Sequence, residues 1–88
     1  MSDEYTGQHR LKYLIVIEPT VTGFSACSPD LSGCVSTSAS VEEVERNMQE
    51  AIELHLEGLR EEGYPIPEPR TSSSYVEISA RGISIIID

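Results

Sequence analysis

The segment 23–35 constrains the fold more than any other part of the chain, because it places two strand-like runs on either side of a turn. It reads Gly-Phe-Ser-Ala-Cys-Ser-Pro-Asp-Leu-Ser-Gly-Cys-Val. Pro29 fixes its own φ near the value that a turn requires, and Gly33 tolerates a positive φ. We therefore predict a β-hairpin with strands at Phe24–Ser28 and Cys34–Thr37.

A long helix is predicted directly after the hairpin. Ser40 is a favourable N-cap, and Glu43 three residues later can complete a capping box. Gly63 offers the left-handed position that ends a helix and Pro65 prevents any extension, so we expect a helix over Val41–Glu62. Apolar or amphipathic residues recur at three- and four-residue steps, namely Val41, Val44, Met48, Ala51, Ile52, His55 and Leu59. This stripe predicts that one side of the helix packs on a sheet.

Three further segments have the composition of strands. The residues of Leu11–Ile17 form two apolar sets, with Tyr13, Ile15 and Ile17 on one face and Leu14 and Val16 on the other. A strand that is apolar on both faces is typical of the centre of a sheet. After an extended connector at Pro65–Pro69, strands are predicted at Tyr75–Ser79 and Ile83–Ile87. The order β-β-β-α-β(-β) predicts a two-layer α+β fold, with one long helix across a mainly antiparallel sheet.

The 88 residues suffice for one domain, which we expect at 11–88 after a flexible tail at 1–10. One helix covers only one face of a sheet, so apolar surface should remain and mediate self-association as a dimer or tetramer. The expected interface comprises Leu14, Val16, Ile83, Ile85 and Ile87. The alternative, that the N-terminus and the prolyl connector cover the bare face, stays open, as does exchange of 81–88 between subunits.

The charge is strongly negative, with 15 acidic against 6 basic side chains and a formal net charge of -9. Eight of the acidic residues lie between Glu42 and Glu62, where the basic residues are Arg46 and Arg60. Such an excess repels phosphate backbones and attracts basic surfaces. We expect a basic protein partner and no direct contact with nucleic acid, with a purely solubilising role for the charge as the alternative.

Neither a membrane nor an export route is indicated. No apolar run approaches the roughly 20 residues of a membrane span, and the N-terminal residues lack the apolar centre of a secretion signal. We therefore expect a cytoplasmic protein. In that compartment Cys27 and Cys34, which flank the hairpin loop, should be reduced and largely buried, although a disulfide across the strands stays open.

The titratable residues predict no catalytic or metal site and no cofactor. Metal-dependent nuclease chemistry needs several carboxylates that converge near strand ends. Glu18, Asp30 and Glu77 are the only candidates, and we expect them to cap a turn, shape the hairpin loop and face solvent. His9 lies in the tail, and His55 on the apolar stripe is expected at the edge of the core. No serine or cysteine has an identifiable activating partner.

The motifs taken together resemble the HicB-like antitoxin family from about Tyr13 to Ile78. They are the strand Tyr-Leu-Ile-Val-Ile-Glu, the segment from Gly-Phe to Gly-Cys-Val, the helix start Ser-Val-Glu-Glu-Val, Leu-Glu-Gly-Leu, and Gly-Tyr-Pro-Ile-Pro-Glu-Pro. The resemblance implies a partial ribonuclease H-like fold with a fourth strand beside the first. It also implies binding to a HicA-type toxin, a small basic protein that cleaves mRNA. The residues after Ile78 are too few for the C-terminal DNA-binding segment of many members.

The resulting hypothesis is an antitoxin that sterically covers the RNA-binding surface of its toxin and is not an enzyme. We expect partner contacts from exposed helix residues and from the hairpin loop. They are Asp30, Leu31, Glu45, Arg46, Glu50, Glu53 and Glu57. The alternative is an orphan oligomeric interaction module with an unrelated partner, and a residual nuclease is a third, weaker hypothesis.

Overall fold

The computed structural model describes residues 10–86 and contains three strands followed by one helix. The strands are β1 (Val16–Pro19), β2 (Phe24–Cys27) and β3 (Val35–Ser38), and the helix is α1 (Val41–Glu62). The strands form one sheet in the order β1-β2-β3, and both pairs are antiparallel. The predicted α+β fold, with one long helix on a mainly antiparallel sheet, is confirmed.

The helix begins and ends where its caps predict. The Ser40 side chain accepts a hydrogen bond from the Glu43 amide at 3.2 Å. Gly63 has φ 80, and its N–H and that of Tyr64 donate to carbonyls of the last turn. The Glu43 carboxylate reaches further back than a simple capping box requires, because it accepts from the Ser38 hydroxyl at 2.6 Å. It thereby ties the helix start to the end of β3.

The core lies between α1 and the sheet. Its buried residues are Ala26, Leu31, Cys34, Val44 and Met48, with Tyr13, Ile15, Ile17, Phe24, Ile52 and Leu56 packed against them. The predicted face with Tyr13, Ile15 and Ile17 therefore packs against the core. Val44 and Met48, which belong to the predicted apolar stripe of the helix, are its buried residues. His55 is half-buried at the margin, as expected.

The first strand differs from the prediction in extent and position. It begins at Val16 rather than Leu11, continues to Pro19, and lies at the edge of the sheet, since β2 is its one neighbour among residues 10–86. The prediction that this strand lies at the centre of the sheet is wrong for the single chain. Apolar residues on both faces indicate that both faces of a strand are covered, but they do not determine how many strands pair with it. Within the described chain β2 alone pairs with β1.

The two C-terminal strands are also wrong as predicted. Between Tyr64 and Ile86 the chain forms no strand, and Tyr75, Val76 and Ile78 are 77–100% exposed. A strand owes its stability to ladder hydrogen bonds and to side-chain packing on a neighbour. Within the described chain this segment has neither ladder hydrogen bonds to a neighbouring strand nor side-chain packing against one. Ile87, which belonged to the predicted final strand and interface, lies outside the described residues.

Candidate protein-binding surface

The hairpin loop has an anchoring role. The Asp30 carboxylate accepts hydrogen bonds from the Arg70 amide at 2.8 Å, the Thr71 amide at 2.9 Å and the Thr71 hydroxyl at 2.7 Å. Those of Thr71, followed by that of Arg70, hold the pKa of the Asp30 carboxyl below its usual value. Asp30 was predicted to shape its own loop and to contact a partner. Its carboxylate fastens the connector that follows α1, and its contact with a partner stays a prediction.

A second contact holds the same connector. The Tyr13 hydroxyl donates to the Pro67 carbonyl. Burial, followed by the charge of Asp30, raises the pKa of the Tyr13 phenol, so this donor stays protonated at neutral pH. The connector is thus fixed to the body at two points, and the chain leaves the body after Thr71.

Leu31 does not face a partner in this structure. Its side chain is 1% exposed and belongs to the core. Three backbone hydrogen bonds shape the loop around it, from Leu31 to Ser28, from Cys34 to Leu31 and from Ser28 to Cys34. The loop therefore closes one end of the core.

The helix presents an acidic surface to solvent. Glu45, Arg46, Glu50, Glu53 and Glu57 are all exposed. Helical geometry, at 3.6 residues per turn, places Glu50, Glu53 and Glu57 away from the buried Val44 and Met48. These side chains are exposed, and Glu53, which accepts a hydrogen bond from the Gln49 side chain at 3.4 Å, also lies at the rim of a groove beside the helix. We call this surface the acidic face, defined by Glu50, Glu53 and Glu57.

A groove of about 900 Å³ separates the chain before β1 from α1. Its apolar floor is formed by Tyr13, Leu14, Ile15, Met48, Ile52 and Leu56. Its rim is basic on the strand side, with Arg10 and Lys12, and acidic on the helix side, with Glu45 and Glu53. Thr71 lies at its margin. The groove was not predicted because the residues on its strand side and those on its helix side lie thirty or more positions apart, and a local sequence pattern does not show which distant segments come together.

The sheet face opposite α1 is only partly apolar. The strand register aligns Val16, Cys27 and Val35 in one row and Glu18, Ser25 and Thr37 in the next. Val16 and Val35 are 39% and 66% exposed. Cys27 is exposed on this face as a free thiol, contrary to its predicted burial, because α1 covers the other side. Cys34 is buried and free as predicted, and burial raises the pKa of its thiol.

Among the described residues, no group of three or more His, Cys, Asp or Glu side chains could hold a metal ion. Asp30 binds the connector, whereas Glu18 and Glu77 are exposed on separate segments. The three carboxylates therefore do not converge. Nor is any helix within residues 10–86 long and apolar enough to cross a membrane.

Comparison with known sequences assigns the chain to a protein family. The profile of the HicB-like antitoxin of bacterial toxin-antitoxin systems matches residues 13–81. This chain belongs to the HicB-like antitoxin family. The resemblance inferred from the motifs is confirmed, and the match continues slightly beyond the predicted end at Ile78.

Two curated relatives illustrate the spread of similar sequences. The chain is 33% identical over 64 residues to an uncharacterized 14.9 kDa protein in the rep-hol intergenic region of Haemophilus phage HP1, a match that covers 73% of this chain and 48% of the phage protein. It is 54% identical over 41 residues to a UPF0150 protein of Helicobacter pylori, which covers 47% of this chain and 57% of that protein. The chain spans about half the length of these relatives.

Solved structures agree with the family. A chain of the HicA3 and HicB3 toxin-antitoxin complex is similar with a TM-score of 0.59 and 37% identity, over 68% of this chain and 70% of that chain. The crystal structure of the antitoxin HicB3 gives a TM-score of 0.59 and 29% identity, over 86% of this chain and 68% of that one. The fold of three strands and one helix is thus that of known antitoxins.

Proposed function

We propose that this chain neutralises a HicA-type toxin by binding that small basic protein against the acidic face of α1. One observation carries the proposal: Glu50, Glu53 and Glu57 are all exposed on a single side of the helix. Membership of the antitoxin family supports it, as does the likeness to a chain of the HicA3 and HicB3 complex.

The mechanism requires no chemistry from this chain. A toxin that cleaves RNA must present cationic side chains to phosphate, and the same side chains are attracted to a cluster of carboxylates. Once bound, the antitoxin occupies the surface that RNA would use. Complementary charge mainly accelerates encounter, whereas the close contacts around it set the dissociation rate. The toxin and its RNA target meet in the cytoplasm, and we place the antitoxin there.

The predicted contacts divide into two groups by their surroundings. Glu45, Arg46 and the acidic face are exposed along α1 and remain available to a partner. Asp30 is bound to the connector and Leu31 is buried, so we assign binding to the helix rather than to the hairpin loop.

Charge reversal tests the role of the helix. The variant Glu50→Lys/Glu53→Lys/Glu57→Lys is compared with Glu18→Lys/Glu68→Lys/Glu77→Lys, which changes the net charge equally at exposed positions elsewhere. The partner is a HicA-type toxin, sought as a small basic protein from a neighbouring gene or from co-purification, and its binding is measured by surface plasmon resonance. We expect the helix variant to lower the association rate constant by about tenfold or more at low salt, and the control to lower it much less.

Equal rate constants for the two variants would exclude the acidic face as the binding surface. Absence of any basic protein that binds the chain, from the neighbouring gene or in co-purification from the native host, would contradict the antitoxin proposal itself. It would favour the orphan interaction module instead.

A further inference from the structure

A second, smaller cavity of about 280 Å³ lies between the end of the hairpin loop and α1. It shares no lining residue with the groove, and helical geometry places its helix residues on a different side of α1. We call it the hairpin cavity, and it is lined by Gly33, Cys34, Val35, Ala51, Leu54 and His55. The contacts proposed for the acidic face do not use this cavity, so its role is a separate question.

The hairpin cavity is apolar and open to solvent. Leu54 on its helix side is 71% exposed, although it is a large apolar residue. Cys34 is buried, and burial raises the pKa of its thiol, so the thiol stays protonated and behaves as a small apolar group. At Gly33 even an added Cβ would meet no atom within 4 Å. An apolar group that approaches from solvent can therefore enter the cavity without displacing the hairpin.

The acidic face borders the hairpin cavity. Glu50 lies four residues before Leu54 and Glu57 three residues after it, which makes both of them neighbours of Leu54 on the helix surface. Both glutamates are exposed. The basic residues of α1, Arg46 and Arg60, do not stand at such a spacing from Leu54. The apolar cavity and two of the three carboxylates of the acidic face thus form one continuous surface.

Charge favours the hairpin cavity over the groove as the apolar site that a basic partner would use. The rim of the groove includes Arg10 and Lys12, which repel a cationic surface. Among the described residues that line the hairpin cavity there is no lysine or arginine. A basic protein attracted to the acidic face is therefore favoured on the side of Leu54 and disfavoured on the side of the groove.

The size of the cavity limits what it can hold. Sites for small molecules measure roughly 300–1,000 Å³ and enclose most of the ligand. The hairpin cavity is smaller, is open on one side, and offers His55 as the polar side chain of its lining apart from the thiol. These properties suit one apolar side chain rather than a metabolite. In protein interfaces such an anchor, seated in a pocket and ringed by polar contacts, often dominates the binding energy.

We propose that the hairpin cavity binds one aliphatic or aromatic side chain of the toxin, and that lysine or arginine residues beside that side chain pair with Glu50 and Glu57. This inference rests on the proposed function and extends the contact from the helix to the end of the hairpin loop. The two parts of the surface act on different rate constants. The carboxylates accelerate association, whereas the seated apolar side chain slows dissociation.

The test is surface plasmon resonance of the full chain with a HicA-type toxin that binds it, at low and at high salt. Leu54→Ala removes the exposed wall of the cavity and should raise the dissociation rate constant by about tenfold at both salt concentrations. The association rate constant should stay within about twofold of the wild type, because no charge changes. Val21→Ala truncates another exposed apolar residue, outside the cavity, and should change neither constant. Circular dichroism checks that both variants keep their helix.

The outcomes separate this inference from the proposed function. If Leu54→Ala dissociates like the wild type while Glu50→Lys/Glu53→Lys/Glu57→Lys associates more slowly, the cavity is excluded and the acidic face stands. An equal rise of the dissociation rate constant in Val21→Ala would also overturn the role of the cavity. If neither the alanine nor the lysine variant differs from the wild type, both surfaces are excluded. A chain that binds no such toxin would overturn the proposed function and this inference together.

Discussion

The carboxylate of Asp30 is hydrogen-bonded to the backbone of Thr71, forty-one residues further along the chain. This contact joins the hairpin loop to the connector and decides where the C-terminal segment leaves the body. Its neighbour in the loop, Leu31, closes the core, so one short turn serves both packing and positioning. The loop, which the sequence indicates only as a turn, therefore holds the connector in place and closes one end of the core.

Removal of the Asp30 carboxylate should release the connector from the hairpin loop. In Asp30→Ala the amides of Arg70 and Thr71 lose their acceptor, and we expect their hydrogen exchange to accelerate by about tenfold or more, because local opening no longer breaks these bonds. Hydrogen exchange read by NMR on the whole chain measures the effect. Glu68→Ala, an exposed neighbour in the connector, is the matched control. Unchanged exchange at Thr71 would contradict the anchoring role.

Two carboxyl groups should make the chain sensitive to acid. Hydrogen bonds from Thr71 and Arg70 lower the pKa of Asp30, and the Ser38 hydroxyl followed by the Ala39 amide lowers that of Glu43. A carboxyl whose pKa is lowered on folding stabilises the folded state above its unfolded pKa, and that contribution is lost as pH falls through the folded value.

We therefore expect the melting temperature to begin to fall as pH drops below about 4, near the unfolded pKa values of these side chains. In Asp30→Ala/Glu43→Ala the decline should be shallower than in the wild type. Thermal denaturation followed by circular dichroism between neutral and acidic pH measures it. Parallel curves for the two proteins would show that these two groups do not carry the pH dependence.

The sequence predicts those parts of the fold that local patterns encode. The helix bounds follow from Ser40 and Gly63, because caps act within one turn. The anchoring by Asp30 could not be predicted, since Thr71 is remote in sequence. The position of β1 was predicted wrongly because apolar residues on both faces of a strand indicate burial of its faces and do not determine whether it lies at the centre or at the edge of the sheet.

Two glycines should respond to alanine in opposite directions. A Cβ at Gly23 would overlap the carbonyl oxygen of Ser38, which belongs to the backbone of β3 and cannot move aside easily. A Cβ at Gly58, within α1, meets nothing within 4 Å.

We expect Gly23→Ala to lower the free energy of unfolding by about 1–3 kcal/mol, because the strand must shift. Gly58→Ala should raise it by about 0.5–1 kcal/mol, because alanine has the higher helix propensity. Urea denaturation of the two variants decides the signs. The same sign for both would contradict the packing described at Gly23.

The centre of the core should be sensitive to truncation. Met48 is 0% exposed and packs between α1 and the sheet, so Met48→Ala should lower the free energy of unfolding by about 2–5 kcal/mol. Leu54, 71% exposed on the same helix, is the control, and Leu54→Ala should change it by about 0.5 kcal/mol or less. Urea denaturation is again the measurement, and comparable losses in both variants would place the core elsewhere.

Inhibition of toxin activity tests the central claim most directly. A HicA-type toxin that binds this chain is incubated with RNA, and increasing amounts of the purified chain are added. The account predicts that cleavage stops when the chain reaches the concentration of its partner, and that the variant Glu50→Lys/Glu53→Lys/Glu57→Lys requires a large excess at low salt. Cleavage that continues in the presence of excess wild-type chain would contradict it.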